Sequence, residues 1–237
     1  MENMTSNIIG EIVADDYRAA AVFKKYGIDF CCQGNRTVEA ACEKKGIDAE
    51  EVLSALEAIH APANDTTPDY NAWPLDELAD HIQIKHHTYV EGAIGQLKPY
   101  IDKICQVHGD RHPELFEVQK EFYEGAGELA AHMKKEEFIL FPHIKKMVKS
   151  GQSDHTHFGT VQNPIAVMME EHDTEGERFR RISALTDGYT PPADACNTYK
   201  VTYALLKEFE DDLHLHIHLE NNILFPKSLE LEEDLDN

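Results

Sequence analysis

Two stretches of this 237-residue sequence combine histidine and glutamate at a spacing suited to metal binding. Each begins with histidine, has glutamate four residues later and closes on Leu-Phe-Pro; they span residues 132–142 and 216–226. Residues four apart lie on one face of an α-helix, so an imidazole and a carboxylate placed in this way can reach the same ion. The pairs are His132 with Glu136 and His216 with Glu220.

Two further histidines precede these pairs at nearly equal intervals. His87 comes 45 positions before His132, and His172 comes 44 positions before His216. The matching order predicts two helical hairpins related by a pseudo-two-fold axis, with their polar groups meeting at one point. Two carboxylates there can each bridge two ions while four histidines complete the coordination, a donor set that suits iron, manganese or zinc. His86 is an alternative to His87 that the spacing leaves open.

The repetition of the motif distinguishes a metal site from a simpler interpretation. A single His-x-x-x-Glu on a helix is most often a solvated pair worth roughly a few tenths of a kcal/mol, and Leu-Phe-Pro is typical of core residues beside a helix kink. Two matched copies favour the metal site, which leaves room for an oxo bridge, water or a small ligand. Glu128, one turn before His132, and Glu171, beside His172, are candidates for orienting a ligand or relaying a proton; the alternative is an ordinary surface acid.

Four long helices must position these residues. Glycine, proline and polar loops delimit helical segments at residues 74–105, 113–149, 164–185 and 193–231. Helices of this length with modest connections predict an all-α fold, an antiparallel four-helix bundle. The acidic end of the chain, residues 229–237, is expected to fray.

A small helical module is predicted ahead of the bundle. Three short helices are expected there: over residues 16–26, between a cap at Thr37 and a stop at Gly46, and after Asp48. Residues 61–72 are rich in proline and small polar residues, which is typical of a linker. The predicted division is an N-terminal domain over residues 1–62, a linker over 63–72 and a bundle domain over 73–237.

The loop between the first two short helices contains adjacent cysteines, Cys31 and Cys32. Vicinal thiols form at best a strained, easily reduced disulfide, and once deprotonated they are soft metal ligands. Arg36 and the start of the following helix are expected to favour the thiolates. We predict redox chemistry or iron and sulfur handling for this pair; the alternative is two buried free thiols.

Charge and composition limit the classes of partner. The chain has 22 Lys and Arg against 44 Asp and Glu, a net charge of −22, which argues against nucleic acid and anionic membranes as partners. The sequence shows no secretory signal and no apolar stretch of membrane-spanning length. Five irregularly spaced cysteines do not fit a secreted disulfide framework, so a cytoplasmic location is expected.

With these motifs in place, the chain resembles the repair-of-iron-centres proteins, the ScdA/YtfE/DnrN type of bacterial iron–sulfur cluster repair di-iron protein. The string FKKYGIDFCCQG, residues 23–34, carries the resemblance in the small module. The His-x-x-x-Glu motifs, the Glu-His-Asp triplet at 171–173 and the Glu-Asn-Asn-x-Leu-Phe-Pro segment carry it in a hemerythrin-like domain. The resemblance implies two oxo- and carboxylate-bridged iron ions per chain and favours His87 over His86. The implied ligands are His87, His132, Glu136, His172, His216 and Glu220.

The resemblance also implies a function. It is the restoration of iron–sulfur clusters damaged by nitric oxide or oxidants, by supplying iron to damaged or apo iron–sulfur proteins. Two alternatives remain: a di-iron enzyme that reduces nitric oxide or peroxide, and a module that binds or senses dioxygen or nitric oxide. Whether the chain is an enzyme therefore stays open, and a homodimer is implied by the resemblance alone. Movement across the linker is expected to bring the cysteines to the bundle.

Overall fold

A computed structural model describes residues 7–59, 68–153 and 158–236 of the chain. These residues are predominantly helical, and an isolated antiparallel bridge joins Ile8 and Thr37. The predicted all-α class is therefore confirmed. Within the same ranges, no helix combines the length and the apolar character needed to cross a bilayer. Much of the predicted linker lies outside the described residues, and its end, Tyr70–Ala72, forms a short 3₁₀ helix.

Four short helices build the described part of the N-terminal module. They are α1 (Ile9–Asp15), α2 (Ala19–Lys25), α3 (Val38–Lys45) and α4 (Ala49–Ile59). The prediction of three missed α1, which has no side-chain cap and contains Gly10, so it carries little local signal. Thr37 caps α3 by accepting a hydrogen bond from the Ala40 backbone N–H at 3.2 Å, and Gly46 ends that helix at φ +66°, as predicted.

Four long helical rods build the bundle. The third rod is α9 (Gln162–Leu185), and each of the others contains a π-helical turn between two α-helices. The first rod packs against the second and fourth, and the second packs against the third. The interrupted rods are α5 (Leu75–His81), Ile82–His87 and α6 (Thr88–His108); α7 (Glu114–Lys135), Glu136–Leu140 and α8 (Phe141–Ser150); α10 (Asn197–Leu219), Glu220–Leu224 and α11 (Phe225–Asp236).

The π-helical turns coincide with the predicted ligands. His87 is the last residue of the first turn, while Glu136 and Glu220 begin the other two. Proline follows two of the turns by two residues, at Pro142 and Pro226. A proline ring cannot donate an N–H and clashes with the carbonyl four residues earlier, so a locally widened helix accommodates it. The Leu-Phe pairs before both prolines are fully buried and belong to the core.

The acidic end of the chain is ordered into α11, so the expected fraying is wrong. Glu232 in this helix is buried and accepts the backbone N–H of Val161 at 2.8 Å. Val161 is the residue before α9, so the carboxylate satisfies an amide that the helix itself leaves unpaired. Glu232, one of these acidic residues, therefore stabilises the start of the third rod.

The N-terminal module is docked on the third π-helical turn through Asn222. Its side-chain amide donates a hydrogen bond to the carbonyl oxygen of Phe30 at 3.0 Å. Two glycines make room for it: a Cβ atom at Gly10 or Gly34 would lie 2.4 Å or 2.9 Å from the Asn222 Oδ1. The cysteine loop thus reaches the bundle without further movement of the two parts.

Candidate metal centre

The six predicted ligands converge inside the bundle. They form two groups of four that share both carboxylates, and within each group the ligand atoms all lie within 4.8 Å of one another. Every one of these side chains is buried, with no residue more than 3% exposed. Each group takes one histidine from each hairpin, as a pseudo-two-fold axis requires. The groups are His87, His216, Glu136 and Glu220, and His132, His172, Glu136 and Glu220.

Hydrogen bonds behind three of the histidine rings set their orientation. An ionised carboxylate only accepts hydrogen bonds, and the amide nitrogen of Asn221 donates to the Cys31 carbonyl oxygen. Each ring therefore donates from Nδ1 and turns Nε2 toward the centre. A ring held in this way is typical of histidines that bind metal. The three pairs are His87 with Glu137 at 3.0 Å, His132 with Glu171 at 2.8 Å and His172 with Asn221 at 2.8 Å.

The aromatic packing follows the same pseudo-symmetry. The ring of His87 stacks on Phe141 with centroids 5.7 Å apart, and the ring of His172 stacks on Phe225 at 6.0 Å. Each phenylalanine belongs to the Leu-Phe-Pro motif of the same hairpin as its histidine. The residue directly after each shared glutamate orients that same histidine. Core packing and ligand orientation therefore come from one repeated segment.

The unpaired acceptors at the centre fit bound cations. Nε2 of His132 and Nε2 of His172 lie only 3.0 Å apart, so their lone pairs face each other unless a proton or a cation lies between them. Nε2 of His87 and both oxygens of Glu136 are buried and make no hydrogen bond of acceptable geometry among the described residues. Unpaired buried acceptors are costly, and a cation satisfies them together. Imidazole nitrogen with carboxylate oxygen suits iron, manganese or zinc.

The charges at the centre reinforce one another. Burial lowers the pKa of His132, but the charge of Glu136, whose Oε1 lies 3.3 Å from His132 Nε2, and the hydrogen bond with Glu171 outweigh burial and raise that pKa to about 10. Burial and the neighbouring Glu220 raise the pKa of Glu136. His132 and His87 lower that pKa by a larger amount, so the net shift is downward. The carboxylates are therefore ionised at neutral pH, and a metal ion must displace the proton of His132.

Two further candidates lie away from the ligand atoms. His86 is buried, but its Nδ1 contacts Asp212 Oδ1 at 3.0 Å and the residue belongs to neither group. Glu128 accepts a hydrogen bond from Arg178 at 2.9 Å and leaves 57% of its side chain exposed, so no contact supports a role in orienting His132.

Residues that orient ligands were partly missed from the sequence. Glu171 does contact a ligand, although it is His132 on the neighbouring rod and not the adjacent His172. Glu137 and Asn221 received no role, yet both directly follow a predicted ligand. Their position in the repeat is a signal that would have found them.

An opening between α7 and α9 reaches the second group. A cavity of about 200 Å³ is lined there by His132 and His172 together with Glu128, Glu171 and Glu175. Lys135 and the apolar Leu129 and Ala131 line the cavity as well, so three acidic side chains and one basic side chain lie beside the two histidines. This surface matches the strong negative charge of the whole chain.

The predicted cysteine pair lies directly against the metal centre. Oδ1 of Asp29 accepts the backbone N–H groups of Cys31 and Cys32 at 3.1 Å and 3.0 Å, which shapes the loop. The two Sγ atoms are 3.7 Å apart and both thiols are free. Cys32 Sγ donates to the carbonyl oxygen of His172 at 3.3 Å, and the Asn221 amide donates to the Cys31 carbonyl oxygen at 3.3 Å. Two contacts therefore connect the loop to two ligand-bearing segments, α9 and the π-helical turn Glu220–Leu224.

The electrostatics of this loop differ from the expectation. The hydrogen bond with Cys32 and burial raise the pKa of Cys31 well above its usual range, so Cys31 is held as a thiol. Arg36 was expected to favour the thiolates, but its Nε donates to the Gln33 carbonyl oxygen instead. Asp29, Cys31 and Cys32 still bring three potential ligand atoms within 4.8 Å of one another.

Comparison with known proteins agrees with this geometry. Residues 78–228 match the hemerythrin HHE cation-binding domain, and residues 5–60 match the ScdA N-terminal domain, described as a domain of unknown function. The iron–sulfur cluster repair protein YtfE of Enterobacter sp. (strain 638) is 38% identical over 221 residues, which cover 93% of this chain and 96% of that protein.

Two other relatives match over the same extent. The iron–sulfur cluster repair protein ScdA of Staphylococcus haemolyticus is 33% identical, covering 93% of this chain and 97% of that protein. A probable iron–sulfur cluster repair protein of Haemophilus influenzae is 36% identical, with 93% and 96% covered. The chain belongs to the ScdA/YtfE family of iron–sulfur cluster repair proteins. All six converging residues lie in the part that matches the hemerythrin HHE domain of this family, and both cysteines lie in the part that matches its N-terminal domain.

Proposed function

We propose that this chain repairs iron–sulfur clusters by supplying iron from a di-iron centre in its bundle. The observation that carries the proposal is the sharing of Glu136 and Glu220 by two groups that each add two histidines. Relatives that match nearly the whole chain are named iron–sulfur cluster repair proteins, which supports the repair role. The partners are then damaged or apo iron–sulfur proteins, the occasion is nitrosative or oxidative stress, and the setting is the cytoplasm.

The ligand set explains how iron can be both held and released. In this proposal His87 and His216 hold one iron, His132 and His172 hold the other, and the two glutamates bridge them. Bound iron supplies Lewis acidity and one-electron redox chemistry. Few protein ligands for each ion, and a histidine that also binds a proton, allow the ions to leave as cargo.

The docked cysteine loop gives the released iron a nearby acceptor. Cys32 touches the backbone of His172, and Asp29 completes a small group of soft and hard ligands with the two thiols. We propose that this group handles iron or sulfur species between the centre and the partner protein. The division into a cysteine domain over residues 1–62 and a bundle over residues 73–237 is part of the same proposal.

The proposal is tested by following iron during repair. The iron-loaded protein is mixed with an apo [4Fe–4S] protein, sulfide and a reductant, and iron on both partners is measured while the cluster absorbance recovers. We expect iron to leave this chain in proportion to cluster recovery. The double variant Cys31→Ser/Cys32→Ser should keep its iron and transfer it more slowly. Glu117→Gln, an exposed position on α7, is the matched control and should behave as the unchanged protein.

Two outcomes would contradict iron donation and favour the other candidates. Repeated turnover of nitric oxide or peroxide with a reductant, with iron retained, would identify an enzyme. Reversible binding of dioxygen or nitric oxide with iron retained, and no effect of the cysteine variants, would identify a binding or sensing module.

A further inference from the structure

A second cavity lies between the cysteine loop and two rods of the bundle. It measures about 230 Å³, and residues 27–31 of the loop form one part of its wall. The rest of the wall comes from three helices, through Lys24 of α2, Arg180 and Ser183 of α9, and Glu210 and His214 of α10. None of the six candidate metal ligands lines this cavity, so it is distinct from the metal centre.

The charged side chains around this cavity include both signs. Lys24 and Arg180 are cations, while Asp29 and Glu210 are carboxyl groups. The cavity beside the metal centre, in contrast, has three acidic side chains and one basic side chain. Because binding sites match the charges of their ligands, an even distribution of charge favours a ligand that itself carries both signs. A zwitterion therefore fits this cavity better than a simple cation or anion.

Both cations keep hydrogen-bond donors for a ligand. Nζ of Lys24 contacts one oxygen of Asp211, and 39% of the lysine side chain is exposed. Nη1 of Arg180 donates to Asp29 at 2.7 Å, and Nε donates to Glu177 at 3.0 Å. An ammonium group and a guanidinium group have more N–H donors than these contacts use. The carboxylate of a ligand can accept the remaining ones in charge-assisted hydrogen bonds.

Two side chains of α10 in the wall are incompletely compensated. Only 7% of Glu210 is exposed, and burial raises the pKa of its carboxyl although the charge of Lys24 lowers that pKa. Burial and the charge of Lys24 lower the pKa of His214 to about 4, so its ring is neutral at pH 7. Nδ1 of this ring is buried and has no hydrogen-bond partner among the described residues. Glu210 and His214 lie four positions apart on one helix face, so a single ammonium group can donate to the carboxylate and to an unprotonated ring nitrogen.

The cysteine loop supplies a part of the wall that suits sulfur. Cys31 is held as a neutral thiol, and the neighbouring Ile28 and Phe30 are buried apolar residues. Sulfur is polarisable and packs favourably against apolar and aromatic side chains, whereas a hydroxyl group there would need hydrogen-bond partners. Pockets for drug-sized ligands measure about 300–1,000 Å³, so this cavity fits a smaller molecule.

We propose that this cavity binds a zwitterionic low-molecular-mass thiol, of which L-cysteine is the simplest. The carboxylate of the ligand binds Lys24 and Arg180, its ammonium group binds Glu210, and its thiol packs beside Cys31. The binding is non-covalent and requires no metal ion. It brings a third sulfur atom to the cysteine pair, which goes beyond the supply of iron.

Calorimetric titration of the iron-loaded, full-length protein without oxygen tests the proposal. We expect L-cysteine to bind at least about tenfold more tightly than three analogues that each lack one group: L-serine the sulfur, cysteamine the carboxylate and 3-mercaptopropionate the ammonium. Equal affinity for the three thiols would show that the iron binds them and would overturn the proposal. So would equal affinity for L-cysteine and L-serine, or no detectable binding of L-cysteine. Since no iron transfer is followed, the result is independent of the proposed function.

Variants locate the binding in the cavity. Arg180→Gln should weaken binding of L-cysteine about tenfold and leave binding of cysteamine, which has no carboxylate, unchanged. Arg181→Gln is the matched control, because Arg181 is the next residue of α9 but binds Glu121 at 2.7 Å and does not line the cavity. Ser183→Phe fills the cavity and should abolish binding of L-cysteine; if it unfolds the protein, Arg180→Gln still decides. Equal affinity of Arg180→Gln and Arg181→Gln for L-cysteine, or an equal loss for cysteamine, would contradict the assigned carboxylate site.

Discussion

Oδ1 of Asn221 accepts a hydrogen bond from Nδ1 of His172 at 2.8 Å. The same side chain donates to the Cys31 carbonyl oxygen, so a single amide joins a candidate metal ligand to the cysteine loop. Glu137 occupies the equivalent position in the first copy of the repeat and binds His87. The next residue in that copy, Phe138, is 74% exposed, while its counterpart Asn222 is covered by the N-terminal module. The two copies of the repeat therefore differ at the position where only the second copy contacts the N-terminal module.

Substitutions at Asn221 separate its two contacts. Asn221→Ala removes the acceptor behind His172, and loss of such a partner typically weakens metal binding by about 10- to 100-fold. We expect this loss at one of the two metal positions, measured by competition with a chelator of known affinity. Asn221→Asp keeps the acceptor but loses the donor to Cys31, so iron should be retained while the thiol of Cys32 becomes more accessible to alkylation. Equal iron binding by the alanine variant and the unchanged protein would contradict the orienting role.

Gly176 sets the distance between the cysteine loop and α9. A Cβ atom at this position would lie 2.7 Å from Sγ of Cys32. Gly176→Ala should therefore push the loop away from the bundle, which speeds alkylation of Cys32 and hydrogen exchange of residues 29–34. Gly127→Ala is the matched control, since a Cβ atom there meets nothing within 4 Å. Alanine leaves the unfolded chain fewer backbone conformations than glycine does, so the free energy of unfolding of the control variant should rise by about 0.5–1 kcal/mol in denaturant titrations. A Gly176→Ala protein with unchanged Cys32 reactivity would contradict the docked arrangement.

Metal loading should release a proton from His132. In protein stripped of metal by a chelator, this histidine has a pKa of about 10 and is protonated at neutral pH. A metal ion takes the place of that proton, so loading at pH 7 should release at least one proton per chain from this ring. Calorimetric titration in two buffers of different ionisation enthalpy measures the number, and His132→Gln should lower it. The stabilising charge of His132 in stripped protein is complete below its unfolded pKa of 6.5 and is lost as the pH rises through about 10.

The shared carboxylates should matter more for metal content than any single histidine. Glu136 and Glu220 belong to both groups, whereas His132 belongs to one. We expect Glu136→Gln to reduce iron below one ion per chain and His132→Gln to retain more of it, measured by elemental analysis after loading. Equal iron content in both variants would contradict the sharing of carboxylates between two ions.

The sequence was most informative where local chemistry repeats. The two His-x-x-x-Glu motifs predicted which rods meet, because i and i+4 positions share a helix face whatever the tertiary context. It was less informative about contacts between distant segments. The hydrogen bond between His132 and Glu171 and the one between Asn221 and Cys31 join segments far apart in the sequence, so no local sequence pattern predicts either of them. The order of α11 was missed for the same reason, since Glu232 is held by an amide on another rod.

A buried carboxyl beside the metal centre should make stability depend on pH. Burial raises the pKa of Glu175 to about 7 although Arg178 opposes that shift at 3.1 Å, and the ordinary value is 4.5. The folded chain therefore binds this proton more tightly than the unfolded chain, so the contribution is complete below about pH 4.5 and is lost as the pH rises through about 7. At 1.36 kcal/mol per pH unit, the loss is about 3 kcal/mol.

Glu175→Gln isolates this contribution. Glutamine cannot ionise, so the free energy of unfolding of the variant should fall less than that of the unchanged protein between about pH 4.5 and pH 7. Arg178 keeps three other carboxylate partners, Glu121, Glu124 and Glu128, so it is not left unpaired in the variant. Denaturant titrations of stripped protein at several pH values give both slopes. Glu117→Gln, exposed on α7, is the control for removing a charge and should leave the slope as it is. Parallel slopes for Glu175→Gln and the unchanged protein would show that Glu175 binds its proton equally in the folded and unfolded chains, and the raised pKa would then be wrong.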